Sequence, residues 1–203
     1  MTDNNLSDGA KSTAQTVNDV IRRRRTIKPK QVAKVDVDES IIRQMLENAN
    51  WAPTHGMTEP WRFKVYSGDA RGKLGVFLAD TYNKVTPPDK VQPKKFDSLR
   101  VNPTLVPYVI AICMKRQETE KIPVIEEIQA VACAVQNMHL TATAHGLGAF
   151  WSSNAAVCSD AMVKYVGLGS KDRVLGLLYV GYPSVDWPEG SRQSIDDKVE
   201  WIS

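Results

Sequence analysis

Gly146-Leu147-Gly148-Ala149-Phe150-Trp151-Ser152-Ser153-Asn154 closes the longest apolar run of the chain, Ile128 to His145. The run reads as one helix. Ile128, Val131, Ala132, Val135, Met138 and Ala142 form an apolar stripe, and Ala130, Cys133, Ala134, Thr141 and Ala144 leave the other side small and uncharged. A helix without a charged face is buried all round. One domain rarely encloses a helix completely, so the reading predicts packing against a second subunit, most simply in a two-fold homodimer. Gln129, Gln136, Asn137, His139 and His145 are too costly in lipid for a membrane span. The glycines that follow have two readings. One is a left-handed helix stop leading into a core strand. The other is a bare backbone against a flat ligand, with Phe150 and Trp151 along its plane and Ser152, Ser153 and Asn154 at its edge.

Working outward, Val174–Gly181 (VLGLLYVG) and Leu105–Met114 (LVPYVIAICM) read as buried strands. Trp61, Phe63 and Val65 alternate with Arg62, Lys64 and Tyr66 in a further strand. Strands near 61–67, 105–114, 147–153 and 174–181 with helices between them predict an α+β or α/β three-layer domain. Asp38 caps a helix over Glu39–Asn50, Asp69 starts one that runs to about Tyr82, and Ser159 caps a short one to Val166. Thr16 is the expected cap of the first helix, with Val17, Val20 and Ile21 on its apolar face. Residues 1–15 read as a disordered arm and 16–203 as a single domain. The Lys-, Pro-, Asp- and Gln-rich stretch 84–103 reads as a mobile excursion with room for a short helix near Phe96–Arg100, either an exposed loop or a lid. The tail, with Trp201 and Ile202 near its end, is expected to dock.

Composition narrows the class. The chain has 203 residues, 42% hydrophobic and 24% charged, which suits a soluble globular domain with a sizeable core. A net charge of +3 is too small to argue for nucleic acid. Cys113, Cys133 and Cys158 lie apart in apolar contexts and read as reduced core thiols of a cytoplasmic protein. The polar N-terminus has no signal-peptide pattern. There is no Rossmann fingerprint, P-loop, nucleophile elbow or metal-ligand spacing.

Two further stretches carry chemistry. Arg22-Arg23-Arg24-Arg25-Thr26-Ile27-Lys28-Pro29-Lys30 is open to three readings: a solvated helix end, an arm for nucleic acid or membrane, or a phosphate site. In the last, arginine forks and a threonine hydroxyl hold phosphate oxygens. Ala52-Pro53-Thr54-His55-Gly56-Met57-Thr58-Glu59-Pro60 is a stiff, polar loop between helix and strand, where binding sites concentrate.

These stretches, in this order, resemble the nitroreductase family of FMN-dependent oxidoreductases. Arg24 to Lys28 resembles its Arg-x-Ser-x-Arg/Lys motif. Ala52-Pro53-Thr54 through Pro60-Trp61-Arg62-Phe63 resembles its Ala-Pro-Ser … Gln-Pro-Trp-x-Phe motif. The Gly-Leu-Gly turn with Trp151 and the segment Ser191–Ile195 resemble its flavin-covering turn and C-terminal basic segment. The match spans about residues 16–203 and is closest to the small single-domain branch.

The resemblance implies an α+β, three-layer α/β/α sheet flanked by helices in an interlocked homodimer, with FMN at the interface. It implies ping-pong hydride transfer from NADH or NADPH to a nitroaromatic, quinone or similar acceptor. A flavin enzyme for one specific metabolite, with nitro compounds as surrogates, is the alternative within this chemistry. A basic-arm protein for nucleic acid or membrane is the alternative outside it. The resemblance places Arg24, Thr26 and Arg192 at the FMN phosphate, Arg25 among the cofactor-binding residues of the same motif, and Lys28 beside the pyrimidine edge, where its cation tunes the flavin. Phe150, Trp151, Ser152, Ser153 and Asn154 fall along the ring, and His55 and Glu59 approach it, His55 from the partner. No side chain is expected to act as a covalent catalyst and no metal is expected. Glu59 stands where the family usually has Gln, and Met57 where many members have Asn. A carboxylate at Glu59 cannot donate to a flavin carbonyl and opposes negative charge on the reduced ring.

Overall fold

Four strands form one sheet in the order β1-β2-β4-β3, every neighbouring pair antiparallel. They are β1 (Trp61–Tyr66), β2 (Tyr108–Met114), β3 (Gly148–Ser152) and β4 (Arg173–Gly181). The structure is a computed structural model and describes residues 8–203. The helices are α1 (Asp8–Arg23), α2 (Glu39–Asn50), α3 (Ala70–Val85), α4 (Pro93–Val101), α5 (Val124–Ala144) and α6 (Asp160–Tyr165). The antiparallel ladder makes the fold α+β, and helices cover both faces of the sheet.

Alternation along β2 explains the two cores. Ile110, Ile112 and Met114 point to the layer of α2 and α5, where they meet Met45, Val131, Val135 and Met138. Val109, Ala111 and Cys113 point to the opposite layer, with Leu74 and Leu78 of α3, Leu99 of α4 and Met162 of α6. A strand packed on both faces carries no polar alternation, which is why 108–114 is apolar throughout. Burial of each such aliphatic side chain is worth about 1.5–3 kcal/mol.

The caps follow from sequence. Asp38 accepts from the Ser40 amide at 2.8 Å and Ser159 from the Met162 amide at 3.2 Å, each satisfying a free N–H at a helix start. At the end of α5 Gly146 takes φ 72°. Its amide donates to Thr143 O at 3.1 Å and the Leu147 amide donates to Ala142 O at 2.8 Å. This is the paired-bond helix stop that a left-handed glycine permits. The helix itself begins at Val124, four residues ahead of the expected Ile128, directly after Pro123 and with Glu126 and Glu127 in its first turn.

Four expectations are corrected. First, α1 begins at Asp8, so 8–15 of the expected arm are helical, while 1–7 lie outside the described residues. Thr16 lies inside the helix and returns its hydroxyl to Ser12 O at 3.0 Å, as Thr13 does to Gly9 O at 2.9 Å. Second, the stretch 84–103 is built rather than free. Helix α4 packs on α3 and buries Leu99, and the Tyr82 hydroxyl accepts from the Gln92 amide at 3.1 Å. Third, only Cys113 is a core thiol; Cys133 and Cys158 are exposed. Fourth, the tail end does not dock on its own chain, for Trp201 and Ile202 are each 91% exposed.

Helix α5 also departs from the all-round burial expected of it. Val131, Ala134, Val135 and Met138 are buried, but Ile125, Gln129, Cys133 and Gln136 form an exposed uncharged stripe. No helix among the described residues is long and apolar enough to cross a membrane.

Candidate functional site

The basic turn after α1 is held against the free edge of β3. Thr26 bridges Ala149 in parallel, and the Ile27 amide donates to Ala149 O at 3.4 Å. Ile27 is fully buried and occupies the space a Gly148 side chain would need: a Cβ there would lie 2.3 Å from Ile27 Cγ1. The bare backbone of Gly148 therefore accommodates Ile27 rather than a flat ligand.

Arg25 is committed to the chain. Its guanidinium donates to Pro188 O at 3.0 Å, Arg22 O at 2.6 Å and Arg24 O at 2.7 Å. Gly190 lies flat on it, since a Cβ at that position would meet Nη2 at 1.9 Å. Trp187 Nε1 donates to Arg23 O at 2.6 Å. Residues 187–190 are thus clamped to the basic turn, with Arg25 as the clamp and not an open phosphate donor. The clamp brings Arg192 toward Arg24. Burial lowers the Arg24 pKa, and the charges of Arg192 and Arg25 lower it further. None of the ion pairs among the described residues involves Arg24, Arg25 or Arg192. Arg24 thus shares its corner with Arg25 and Arg192, and none of the three is ion-paired with a carboxylate among the described residues. Lys28 is exposed nearby, its amide donating to Gln31 Oε1 at 3.1 Å.

Strand periodicity separates two residues expected to share a ligand face. Phe150 belongs to the α3, α4 and α6 layer and stacks on Tyr179 with centroids 6.0 Å apart. Trp151 belongs to the α2 and α5 layer. Its Nε1–H donates at 3.1 Å to Leu175 O, which a bulge in β4 frees from the ladder. Adjacent strand residues point to opposite faces, so Phe150 and Trp151 cannot both line one ring. Asn154 spends its Oδ1 on the amides of Ala156 at 3.1 Å and Val157 at 3.3 Å. Ser152 is half-buried and Ser153 is exposed at the end of β3.

The loop before β1 is strained and pinned. Gly56, Met57 and Glu59 have φ of 59°, 52° and 42°. Such a backbone costs about 1–3 kcal/mol at each non-glycine residue, so its neighbours must hold it in place. They do so: the Thr54 and Thr58 hydroxyls pair at 3.1 Å, and the Glu59 amide donates to Thr54 Oγ1 at 3.2 Å. The Lys115 amide donates to Pro60 O at 2.7 Å. His55 Nδ1 pairs with Glu126 Oε2 at 2.5 Å, in the first turn of α5. The Glu59 side chain is exposed.

One chain does not bring these groups together. His55 is tied to Glu126 at the start of α5, whereas Arg24 acts electrostatically on His139 near its end. The two positions lie about 20 Å apart at 1.5 Å per helical residue. Two cavities among the described residues both fall short of that gap. A cavity of about 650 Å³, lined by Lys30, Val35, Arg71, Leu105 and Tyr108 among others, holds none of the expected site residues. A shallower one of about 450 Å³ is lined by Ser191, Arg192, Gln193 and Lys198. His139 was not among the expected site residues. Its signal was a lone histidine in the otherwise uncharged second half of α5.

Comparison with known proteins fits this arrangement. A family model described as the nitroreductase family matches residues 21–182, from the end of α1 through β4. YfhC of Bacillus subtilis, which bears the provisional name NAD(P)H nitroreductase, is 29% identical over 168 residues, covering 81% of this chain and 83% of its own. A crystal structure of a nitroreductase-like family protein from Bacillus cereus superposes with a TM-score of 0.78 at 27% identity, covering 92% and 95% of the two chains. A provisionally named nitroreductase from Desulfovibrio desulfuricans, solved in complex with FMN, shares the fold with a TM-score of 0.71 at 23% identity, covering 92% and 96%. The matched span runs through the basic turn, the strained loop, α5 and the β3 edge, and this chain belongs to the nitroreductase family.

Proposed function

We propose that the chain is an FMN-dependent oxidoreductase, a homodimer that passes hydride from NAD(P)H to a nitroaromatic, quinone or similar acceptor in alternating half-reactions. The observation that carries this reading is the corner of Arg24, Arg25 and Arg192, none of them in an ion pair among the described residues. Like charges held together in a partly dry site call for an anion, and a phosphate supplies two negative charges and several acceptor oxygens. Arg24, Thr26 and Arg192 would hold the FMN phosphate, and Lys28 would set its cation beside the ring. The flavin supplies the redox chemistry when bound; the protein binds, orients and tunes it. Glu59 enters as a residue that opposes negative charge near the ring. The folded attachment of the basic turn to β3 and the tail argues against a free arm for nucleic acid or membrane.

The homodimer rests on three features of the single chain. The α5 stripe is uncharged and exposed, Val17 and Ile21 of α1 are 51% and 49% exposed, and the tail ends in an uncovered Trp201. A second copy with α5 antiparallel would carry its own loop at 54–59 across the roughly 20 Å to the basic corner, because the loop sits at one end of α5 and the corner near the other. Light scattering at micromolar concentration is expected to give a mass near twice the chain's 22.6 kDa. A monomer would remove the interface site.

The cofactor test is direct. Purified protein, reconstituted with FMN if colourless, is expected to show flavin absorption bands at about 375 and 450 nm and to release FMN on heat denaturation, because the chemistry resides in the cofactor. Anaerobic addition of NADH or NADPH then bleaches the longer-wavelength band. A protein that takes up no FMN overturns the proposal.

A further inference from the structure

The cavity of about 650 Å³ takes no part in the flavin reading. Its volume lies in the usual range of small-molecule sites, about 300–1,000 Å³. Three pieces of chain wall it: the segment 29–37 after the basic turn, the turn from β1 into α3 at Ser67 and Gly68, and residues 104–108 leading into β2. Val32 and Val106 are buried in its wall, and Leu105 and Tyr108 are half-buried. An apolar body seated there would take these side chains, and itself, out of water. None of the residues on which the homodimer is argued lines this cavity.

Charge decides what that body carries. Lys30, Lys34 and Arg71 line the cavity against one carboxylate, Asp36. None of the four is in an ion pair among the described residues. Arg71 is half-buried and fixed. Its Nε donates to Gly68 O at 3.1 Å and its Nη1 to Val106 O, and both acceptor residues themselves line the cavity. The guanidinium therefore ties two of the walls together. Its other N–H groups have no partner among the described residues, so they are donors already held in place, with little further entropy to lose on binding. The segment 34–37 adds donors of a second kind. The Val32 and Ala33 amides are paired, to Pro29 O at 3.2 Å and Tyr182 O at 2.8 Å, but those of Lys34, Val35, Asp36 and Val37 find no backbone acceptor among the described residues.

We propose that this cavity is a second ligand site, separate from the flavin corner, for a small carboxylate carried on an apolar or aromatic body. The planar guanidinium of Arg71 receives the carboxylate, whose geometry its fork matches. Leu105, Val106 and Tyr108 face the body. Lys30 and Lys34 add positive charge that outweighs Asp36 and disfavours cations. The inference does not depend on the FMN reading.

The test titrates the protein, with excess FMN present, with 2-naphthoate, the neutral 2-naphthalenemethanol and acetate, read by calorimetry. 2-Naphthoate, which alone has both head and body, is expected to bind about tenfold more tightly than either of the others, the size of one hydrogen bond to a charged group. Arg71→Met is expected to weaken 2-naphthoate about tenfold and to leave 2-naphthalenemethanol unchanged. Arg71 also braces the walls, so Lys34→Glu at an exposed position gives a second reading free of that packing, with a loss of about threefold. In the wild-type protein the amide resonances of Lys34 to Val37 are expected to shift with 2-naphthoate, a readout independent of any variant's folding. Unchanged 2-naphthoate affinity in both variants, equal affinity for 2-naphthalenemethanol, or resonance shifts confined to the flavin corner would each overturn the inference. A protein that bound 2-naphthoate in this cavity but took up no FMN would uphold it and overturn only the cofactor proposal.

Discussion

Replacing Glu127 by alanine is expected to lower folding stability by about 3–5 kcal/mol, the usual cost of removing one partner of a buried ion pair. Glu127 and Arg116 meet at 2.5 Å with side chains 0% and 7% exposed. The guanidinium also donates to Ile122 O at 2.6 Å and Glu120 O at 3.1 Å, and Glu127 Oε1 accepts from the Gln117 amide at 3.2 Å. The Arg116 amide donates to Asp172 Oδ1 at 2.9 Å. The network ties the connection from β2 to the first turn of α5 and to the turn before β4. Alanine leaves a buried cation with carbonyls but no counter-charge. The attraction within the pair is largely offset by its own desolvation, so the cost arises from breaking it rather than from the pair's net worth. The double variant Arg116→Met, Glu127→Leu is accordingly expected to recover most of the loss. Urea midpoints at one protein concentration and one FMN concentration read both, because dimerisation and ligand shift apparent stability by mass action. A Glu127→Ala loss below about 1 kcal/mol would place the pair among ordinary surface bridges.

That network also shows where the sequence was legible and where it was not. Periodic apolar residues marked α2, where Ile42, Met45 and Ala49 are buried, and continuous apolar runs marked β2 and β4 to within three residues, because a strand covered on both faces needs no polar alternation. Helix α4 was legible only as a short turn of helix near Phe96–Arg100, three residues late at its start, because most of its residues are polar and it buries only Leu99. The first half of α1 escaped because Gly9 to Thr16 has no apolar period, and its threonine hydroxyls return to the helix's own carbonyls. Glu127 passed unremarked because a carboxylate in a first helical turn is ordinarily a solvated dipole partner. Its burial depends on Arg116, eleven residues away, arriving from the other side of a loop.

The site was legible as motifs but not as an arrangement. Period two alone separates Phe150 from Trp151, yet the sequence reading placed both on one ring plane. The Gly146 stop followed from its position after the helix, whereas the role of Gly148 depended on Ile27 coming from a segment over a hundred residues earlier. Arg25 matched the basic motif by position, but its carbonyl partners at Arg22, Arg24 and Pro188 make it a clamp for the tail. Loop and basic turn are distant in one chain for a reason no local pattern encodes: they sit toward opposite ends of α5.

Removing Arg24 is expected to raise the FMN dissociation constant about 10- to 100-fold, since hydrogen bonds to charged groups contribute about 1.5–3 kcal/mol each and 1.4 kcal/mol is tenfold. Riboflavin affinity should change little, because the lost contact is to phosphate. Arg24→Lys keeps the charge but loses the planar fork, so it should fall between wild type and Arg24→Ala. The flavin-free protein responds in the opposite sense. With no anion present, Arg24 is repelled by Arg25 and Arg192 and partly stripped of water, as the lowered pKa records. Arg24→Ala removes that repulsion, so the melting temperature without FMN should stay level or rise. The rise in melting temperature on adding FMN should shrink, because stabilisation by a ligand grows with its concentration relative to its dissociation constant. A variant that lost stability and riboflavin binding together would mark Arg24 as a structural residue like Arg25. One that kept wild-type FMN affinity would remove the phosphate from this corner. The opposed signs in the two states separate a binding arginine from a structural one, and need only a thermal melt with and without FMN.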